Sequence, residues 1–96
     1  MCVNVFVLAR RERWTCWLCG LRVYGPDDGV DKGSALGPSR DHVRPASLGG
    51  SSRSHNLRLA HRHCNSNRER KPKEQLVAEI LSLVSAMNIK ESPNAR

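Results

Sequence analysis

The sequence predicts a small α+β domain, and three observations support this prediction. Residues 56–60 alternate leucine with polar residues, a period typical of a half-buried strand. Residues 76–87 repeat apolar side chains at steps of three and four, a period typical of a helix that packs on one face. Two residue pairs, Cys16 with Cys19 and His61 with Cys64, have the spacing of metal ligands. We therefore expect strands and helices held together by a metal ion.

The length and composition of the chain predict one domain with a thin core. The chain has 96 residues, and its aromatic residues are two Trp, one Tyr and one Phe. Small domains with so little core material are usually stapled by disulfides or by a metal. We expect residues 1–96 to form a single domain, with a motif core at 14–71 and an amphipathic C-terminal helix at 72–90.

The cysteines and the N-terminal segment indicate a reducing compartment. The apolar run at residues 1–9 is too short for a signal peptide and lacks a basic n-region, and no stretch is long enough to span a membrane. We expect a cytoplasmic protein without a membrane partner. In the cytosol, clustered cysteines favour metal binding over disulfides.

The positive charge is concentrated in one segment of the chain. Residues 42–73 contain eight Arg or Lys residues and one acid, Glu69, whereas the remaining residues balance eight basic against eight acidic side chains. A polyanion is the natural partner of such a basic segment. Charge alone leaves open the alternative of a merely solvated basic surface.

The elements of the first half are short and separated by turns. Residues 3–9 are apolar and β-branched, which allows a strand or a short helix. Residues 14–20 are read as a short strand that enters a tight turn. Residues 25–38 are punctuated by glycine and proline and are predicted to form a long loop.

The second half is predicted to hold the regular core elements. Ser39–Arg44 is a strand candidate that Pro45 ends, and Asn56–Ala60 is the second strand. Residues 61–70 lack glycine and proline and are predicted to be helical. Pro72 opens the last helix. Its predicted apolar stripe consists of Leu76, Val77, Ile80, Leu81, Val84 and Met87.

The two ligand pairs predict a structural zinc site. Four soft or borderline ligands suit one tetrahedral Zn²⁺, and positions 61 and 64 share one face of a helix. His63 points about 100° away from Cys64 and is the poorer ligand. We call the segment from Cys16 to Cys19, together with His61 and Cys64, the zinc knuckle. A competing ligand set would replace His61 with Cys2, although the N-terminus would then have to fold back onto the other three ligands.

A string of residues between the ligand pairs carries a family resemblance. Asp41-His42, Pro45, Gly49-Gly50, Asn56-Leu57 and Cys64-Asn65 follow one another in order. Together with the zinc knuckle, this string resembles the HNH endonuclease family over about residues 14–71, and it is closest to the compact HNH proteins of phages and actinobacteria. The resemblance implies a ββα-metal (His-Me finger) fold: a β-hairpin and a helix that hold one catalytic divalent ion.

The resemblance also implies a role for each site residue. Asp41 and Asn65 would ligate the catalytic ion, for which their oxygen donors favour Mg²⁺ or Mn²⁺. His42 would deprotonate the attacking water. Asn56 would tie the hairpin loop and orient the histidine. A flat strand points Asp41 and His42 to opposite faces, so both can serve one site only if the backbone bends there.

Double-stranded DNA is the expected substrate, cut with low sequence specificity. The candidate backbone contacts are the basic residues Arg44, Arg58, Arg62, Arg68, Arg70 and Lys71. The scarcity of aromatic residues argues against a single-stranded RNA substrate. The family resemblance associates such phage proteins with a terminase. The main alternative is a non-catalytic zinc module that binds DNA or docks on a larger protein.

Overall fold

The computed structural model describes residues 4–31, 33–51 and 53–87 and confirms the α+β class. Its elements in chain order are helix α1 (Val5–Arg11), strand β1 (Pro38–His42), strand β2 (Leu57–His61), helix α2 (Arg62–Ser66) and helix α3 (Lys73–Met87). The two strands form one antiparallel sheet, and α1 and α2 both contact it. No helix within these ranges is long and apolar enough to cross a membrane.

Helix α1 resolves the ambiguity of the N-terminal segment in favour of a helix. The Asn4 side chain accepts a hydrogen bond from the Phe6 backbone N–H at 2.8 Å, which satisfies one of the free donors of the first turn. Leu8 and Ala9 are fully buried, so one face of this short helix joins the core.

The segment between α1 and β1 is built from turns, as the glycine and proline pattern predicts. The predicted strand at 14–20 is reduced to a single antiparallel bridge between Thr15 and Arg22. Gly20 closes the intervening turn with a φ of 82°, a conformation that favours glycine. In the long loop, Pro26–Asp28 form a 3₁₀ turn. The Asp28 carboxylate accepts a hydrogen bond from the Gly25 N–H and forms an ion pair with Arg22.

The β-hairpin forms the centre of the core. Its register pairs Pro38 with His61 and His42 with Leu57. Leu57 and Leu59 are fully buried, as the alternating pattern predicts. The first strand ends at His42, two residues before the predicted end, because the backbone bends at Val43 and Arg44.

The two C-terminal helices differ from their predictions: α2 is shorter, and α3 packs on the core with a slightly different set of residues. Helix α2 stops at Ser66, because the Asn67 side chain donates to the His63 carbonyl at 2.8 Å and turns replace the last helical residues. In α3, Leu76 and Ile80 are buried as expected, but the placement of Leu81 in the apolar stripe is wrong. Leu81 is 55% exposed, and Leu83 packs against the core instead.

Candidate functional site

The predicted zinc ligands come together in the structure. Cys16 and Cys19 lie in the turn after α1, His61 ends β2, and Cys64 lies in α2. All four side chains are buried, and their ligand atoms lie within 4.8 Å of one another. This set of three sulfurs and one ring nitrogen is a metal-binding arrangement of the kind that fits zinc.

The His61 ring is held in the tautomer that a metal ligand needs. Its Nε2 donates a hydrogen bond to the Arg22 carbonyl at 2.6 Å. The other nitrogen, Nδ1, therefore presents its lone pair to the Cys19 and Cys64 sulfurs, which lie at 3.4 and 3.7 Å. A carbonyl acceptor behind a ligating histidine is the usual support of a zinc site.

The electrostatics of the cluster also fit a bound cation. Hydrogen bonds from Cys19 and Cys64 hold the pKa of the Cys16 thiol well below its usual range, whereas hydrogen bonds with Cys16 and Cys19 raise the pKa of Cys64. Burial alone would lower the pKa of His61, but its contacts with Cys16 and Cys19 outweigh burial and raise that pKa to about 9. Closely spaced sulfurs that cannot all ionise together are stabilised as thiolates by a divalent cation.

Cys2 and His63 were the two other residues considered as zinc ligands, and the structure describes only the second of them. Cys2 lies outside the described residues. His63 turns away from the cluster: its Nε2 lies 2.7 Å from a Glu79 carboxylate oxygen on α3. Lys71 donates to both oxygens of the same carboxylate. Hydrogen bonds from Lys71 and His63 lower the pKa of Glu79 to about 2.

A second group of predicted residues lines one surface cavity of about 370 Å³. The cavity is lined by Asp41, His42, Pro45, Asn65, Ser66, Arg68, Glu69 and Arg70. Asp41 and His42 thus reach the same cavity although they are neighbours in a strand. Both residues lie at the end of β1, which stops at His42 before the chain bends at the next two residues.

The donor groups of Asp41 and Asn65 are firmly placed. The Asp41 carboxylate is 5% exposed and accepts hydrogen bonds from the Trp17 indole N–H at 2.8 Å and from Arg68 at 2.9 Å. Each carboxylate oxygen has a second lone pair. The Asn65 Nδ2 donates to the Ser39 hydroxyl and to the Arg40 carbonyl, so its amide oxygen is the atom that can act as a ligand. Two oxygen donors at one cavity fit a hard divalent cation.

Asn56 lies at the base of the hairpin loop, and its side chain forms three hydrogen bonds with the loop backbone. Its Oδ1 accepts from the Arg44 N–H at 2.9 Å, and its Nδ2 donates to the carbonyls of Arg44 and Ser51 at 3.1 and 2.6 Å. The loop also needs its two glycines. Gly49 has a φ of 84°, and a Cβ on Gly50 would come within 1.7 Å of the Arg44 carbonyl oxygen.

We expect Asn56→Ala to loosen this loop. The substitution removes three side-chain hydrogen bonds from a residue that is only 8% exposed. The free energy of unfolding should fall by about 1–3 kcal/mol, since loop groups lose their partners. Amide hydrogen exchange should show faster exchange at Arg44. Unchanged exchange there would contradict the tying role, and His55→Ala, an exposed neighbour, serves as the control.

The predicted DNA-contacting residues differ in their surroundings. Arg44 and Arg70 have exposed side chains, and Arg70 also lines the cavity. Three others form ion pairs within this chain: Arg58 with Glu12, Lys71 with Glu79, and Arg68 with Asp41. Among the described residues, the cavity lining does not include Arg62.

Sequence reasoning missed Trp17 and the internal contacts of Arg68. Trp17 reaches Asp41 across 24 positions of sequence, and Arg68 also donates to the carbonyls of His42 and Val43. The only signal in the sequence was a tryptophan between two predicted zinc ligands, a position where a large side chain must extend beyond the knuckle.

Comparison with known protein families agrees with this geometry. Residues 37–71 match the family model of the HNH endonuclease. The match includes both strands, α2, every predicted catalytic residue and the second ligand pair of the zinc knuckle, whereas Cys16 and Cys19 precede it. The comparison with curated proteins gives no match. The β-hairpin and α2 of this chain are therefore similar to an HNH endonuclease domain.

Proposed function

We propose that this protein is a metal-dependent endonuclease that hydrolyses phosphodiester bonds of double-stranded DNA, with a site of the His-Me finger type. The observation that carries the proposal is the composition of the 370 Å³ cavity. It combines one imidazole, His42, with the oxygen donors of Asp41 and Asn65 and with two guanidinium groups. These are the groups that water activation and charge stabilisation at a phosphate require.

His42 is the general base in this proposal. It ends β1 at the cavity, where a half-buried imidazole can accept the proton of a water that attacks phosphorus. Arg70 offers a positive charge to the phosphate oxygens from the same cavity wall. Asp41 and Asn65 would hold Mg²⁺ or Mn²⁺. When bound, such an ion stabilises the negative charge that develops on the phosphate and on the leaving oxygen.

The aromatic residues support duplex DNA over single-stranded RNA. Tyr24 is buried, and the Trp14 ring packs beside Phe6 with centroids 6.4 Å apart. The guanidinium groups of Arg58 and Arg68 both lie over the Trp17 ring, at 5.4 and 5.3 Å. Recognition of single strands relies on aromatic rings that accept stacked bases, and these rings already pack within the chain.

A plasmid-nicking assay tests the proposal. Zinc-loaded protein should relax supercoiled plasmid when Mg²⁺, Mn²⁺ or Ni²⁺ is added, and should not do so without an added divalent ion. The ion should be omitted rather than chelated, because a chelator can also remove zinc and unfold the domain. Protein that binds DNA but nicks nothing with any of these ions would overturn the proposal.

The second candidate function is a non-catalytic zinc module. The observation in its favour is that both oxygens of Asp41 accept hydrogen bonds from donors of the protein itself, Trp17 and Arg68. The same nicking assay separates the two functions, since a docking or binding module would show DNA affinity without turnover.

The cellular setting belongs to the same proposal. A cytoplasmic location suits a site of three cysteines, which stay reduced there. The resemblance to compact phage proteins supports a role in phage DNA packaging beside a terminase. Co-purification of tagged protein from phage-infected cells tests this partner, and absence of the terminase from the complex would count against it.

We expect DNA affinity to fall steeply with salt, because the basic segment releases counterions from the backbone. Arg70→Ala should weaken binding equally on unrelated sequences and reduce the slope of log affinity against log salt by about 1. Arg10→Ala is the matched control, since Arg10 is also exposed but lies outside the segment. Fluorescence anisotropy over a salt series measures the affinity and its salt dependence for each variant. A loss confined to one sequence would contradict a backbone contact.

A further inference from the structure

Trp17 occupies an unusual position between two sites. It lies inside the Cys16-x-x-Cys19 turn, whose ends are zinc ligands in the arrangement described above. Its backbone N–H donates to the Leu59 carbonyl at 2.9 Å, which joins the turn to β2. Metal binding at the knuckle and pairing with the sheet therefore fix the backbone from which the indole extends.

The indole ends at the buried carboxylate of the second site. Its Nε1 donates to Oδ2 of Asp41 at 2.8 Å, while Arg68 donates to Oδ1 at 2.9 Å. The Arg68 guanidinium also lies over the Trp17 ring, at 5.3 Å from its centroid. Two donors from two separate segments of the chain thus fix the plane of one carboxylate, because each oxygen is bound separately.

We infer that Trp17 is a positioning residue that couples the zinc knuckle to the divalent-cation site at Asp41. The inference rests on the proposed function in one respect, namely that Asp41 is a ligand of that cation. A hydrogen bond to the outer face of a ligating carboxylate orients it and limits its rotation before the cation arrives. Loss of such a partner typically weakens metal affinity by about 10- to 100-fold.

The competing role for Trp17 is simple packing, and one substitution separates the two roles. Trp17→Phe keeps an aromatic ring in the knuckle and beside the guanidinium groups, but it removes the N–H that binds Asp41. Trp14→Phe is the matched control. The Trp14 ring packs against Phe6 and lines a different cavity, which is bounded by Gly25 and Pro26.

The first measurement is calorimetric titration of zinc-loaded protein with Mn²⁺ alone, without DNA. Both variants should retain one zinc per chain by native mass spectrometry. Trp17→Phe should bind Mn²⁺ about 10-fold more weakly than the wild type, and Trp14→Phe should bind it with unchanged affinity. Equal Mn²⁺ affinity in the two variants would overturn the coupling and leave the nuclease proposal standing.

The second measurement uses fluorescence, since the chain has two tryptophans. In the Trp14→Phe chain all indole emission comes from Trp17, and paramagnetic Mn²⁺ bound by Asp41 should quench it strongly. In the Trp17→Phe chain the remaining Trp14 should be quenched much less. This readout does not require Trp17→Phe to fold, because the Trp14→Phe chain alone reports whether the cation binds beside Trp17.

The outcomes distinguish this inference from the proposed function. Quenching of Trp17 and weakened Mn²⁺ binding in Trp17→Phe, without plasmid nicking by the wild type, would support the coupling and reject the nuclease. Nicking by the wild type with no quenching of Trp17 would reject the coupling and the assignment of Asp41 as a ligand, but it would leave the nuclease activity standing. A wild-type chain that binds no Mn²⁺ would overturn both the coupling and the assignment of Asp41 as a ligand.

Discussion

His42→Ala should nick plasmid at least about 100-fold more slowly than the wild type, the usual contribution of a positioned general base. Zinc content, thermal unfolding and DNA affinity should remain close to wild type. The reason is structural: His42 ends β1 and lines the cavity, so a smaller side chain opens the cavity without removing a member of the buried core. A group that acts only in the transition state lowers turnover without lowering binding.

Two further variants make the test of His42 specific. His55→Ala removes an exposed histidine of the same hairpin loop and should leave nicking unchanged. Asp41→Ala should also lose nicking, but through weaker binding of the divalent cation, so excess Mn²⁺ should restore part of its activity. The same excess should not rescue His42→Ala. If His42→Ala nicks plasmid as fast as the wild type, the general-base assignment fails and the non-catalytic module becomes the better hypothesis.

Local patterns predicted those parts of the fold that depend on neighbours in sequence. The alternating leucines at 57 and 59 are buried in β2, and the apolar positions 76 and 80 anchor α3. The errors arise where tertiary contacts decide. Leu81 follows the helical period but is exposed, because only one face of α3 packs on the core. Helix α2 ends early because the Asn67 side chain binds the helix backbone, a competition that propensity does not capture.

The candidate site divides in the same way. Ligand spacing predicted the set of metal ligands, because each pair is only three positions apart: His61 ends β2 just before Cys64 in α2, and Cys16 and Cys19 lie on one tight turn. The hypothesis required Asp41 and His42 to face one site, but residue types alone could not show that both line the same cavity. The contacts of Asp41 with Trp17 and Arg68 join positions 24 and 27 residues apart, and only the folded hairpin brings them together.

Zinc removal should unfold the whole domain rather than inactivate a folded one. The buried core includes three of the four predicted ligands, Cys16, Cys19 and Cys64, alongside few large apolar side chains. A structural zinc site of this type contributes about 10–16 kcal/mol at neutral pH, whereas a small domain is stable by about 5–15 kcal/mol in total. Loss of the metal therefore removes a free energy as large as the net stability. Cys64→Ala should have the same consequence, because it leaves three ligands and a cavity between α2 and the knuckle.

Circular dichroism with zinc quantification checks this expectation, and Cys2→Ser is the matched control. Because the His61 ring is fully buried and its Nδ1 faces two of the sulfurs, His61 rather than Cys2 should complete the site. Cys2→Ser should therefore keep one zinc and melt cooperatively like the wild type, whereas Cys64→Ala and chelator-treated wild type should show no cooperative transition. Returning Zn²⁺ should refold the chelated wild type but not Cys64→Ala. A zinc-free chain that still melts cooperatively at the wild-type temperature would contradict the structural role of the metal, and zinc loss in Cys2→Ser would favour the ligand set that includes Cys2.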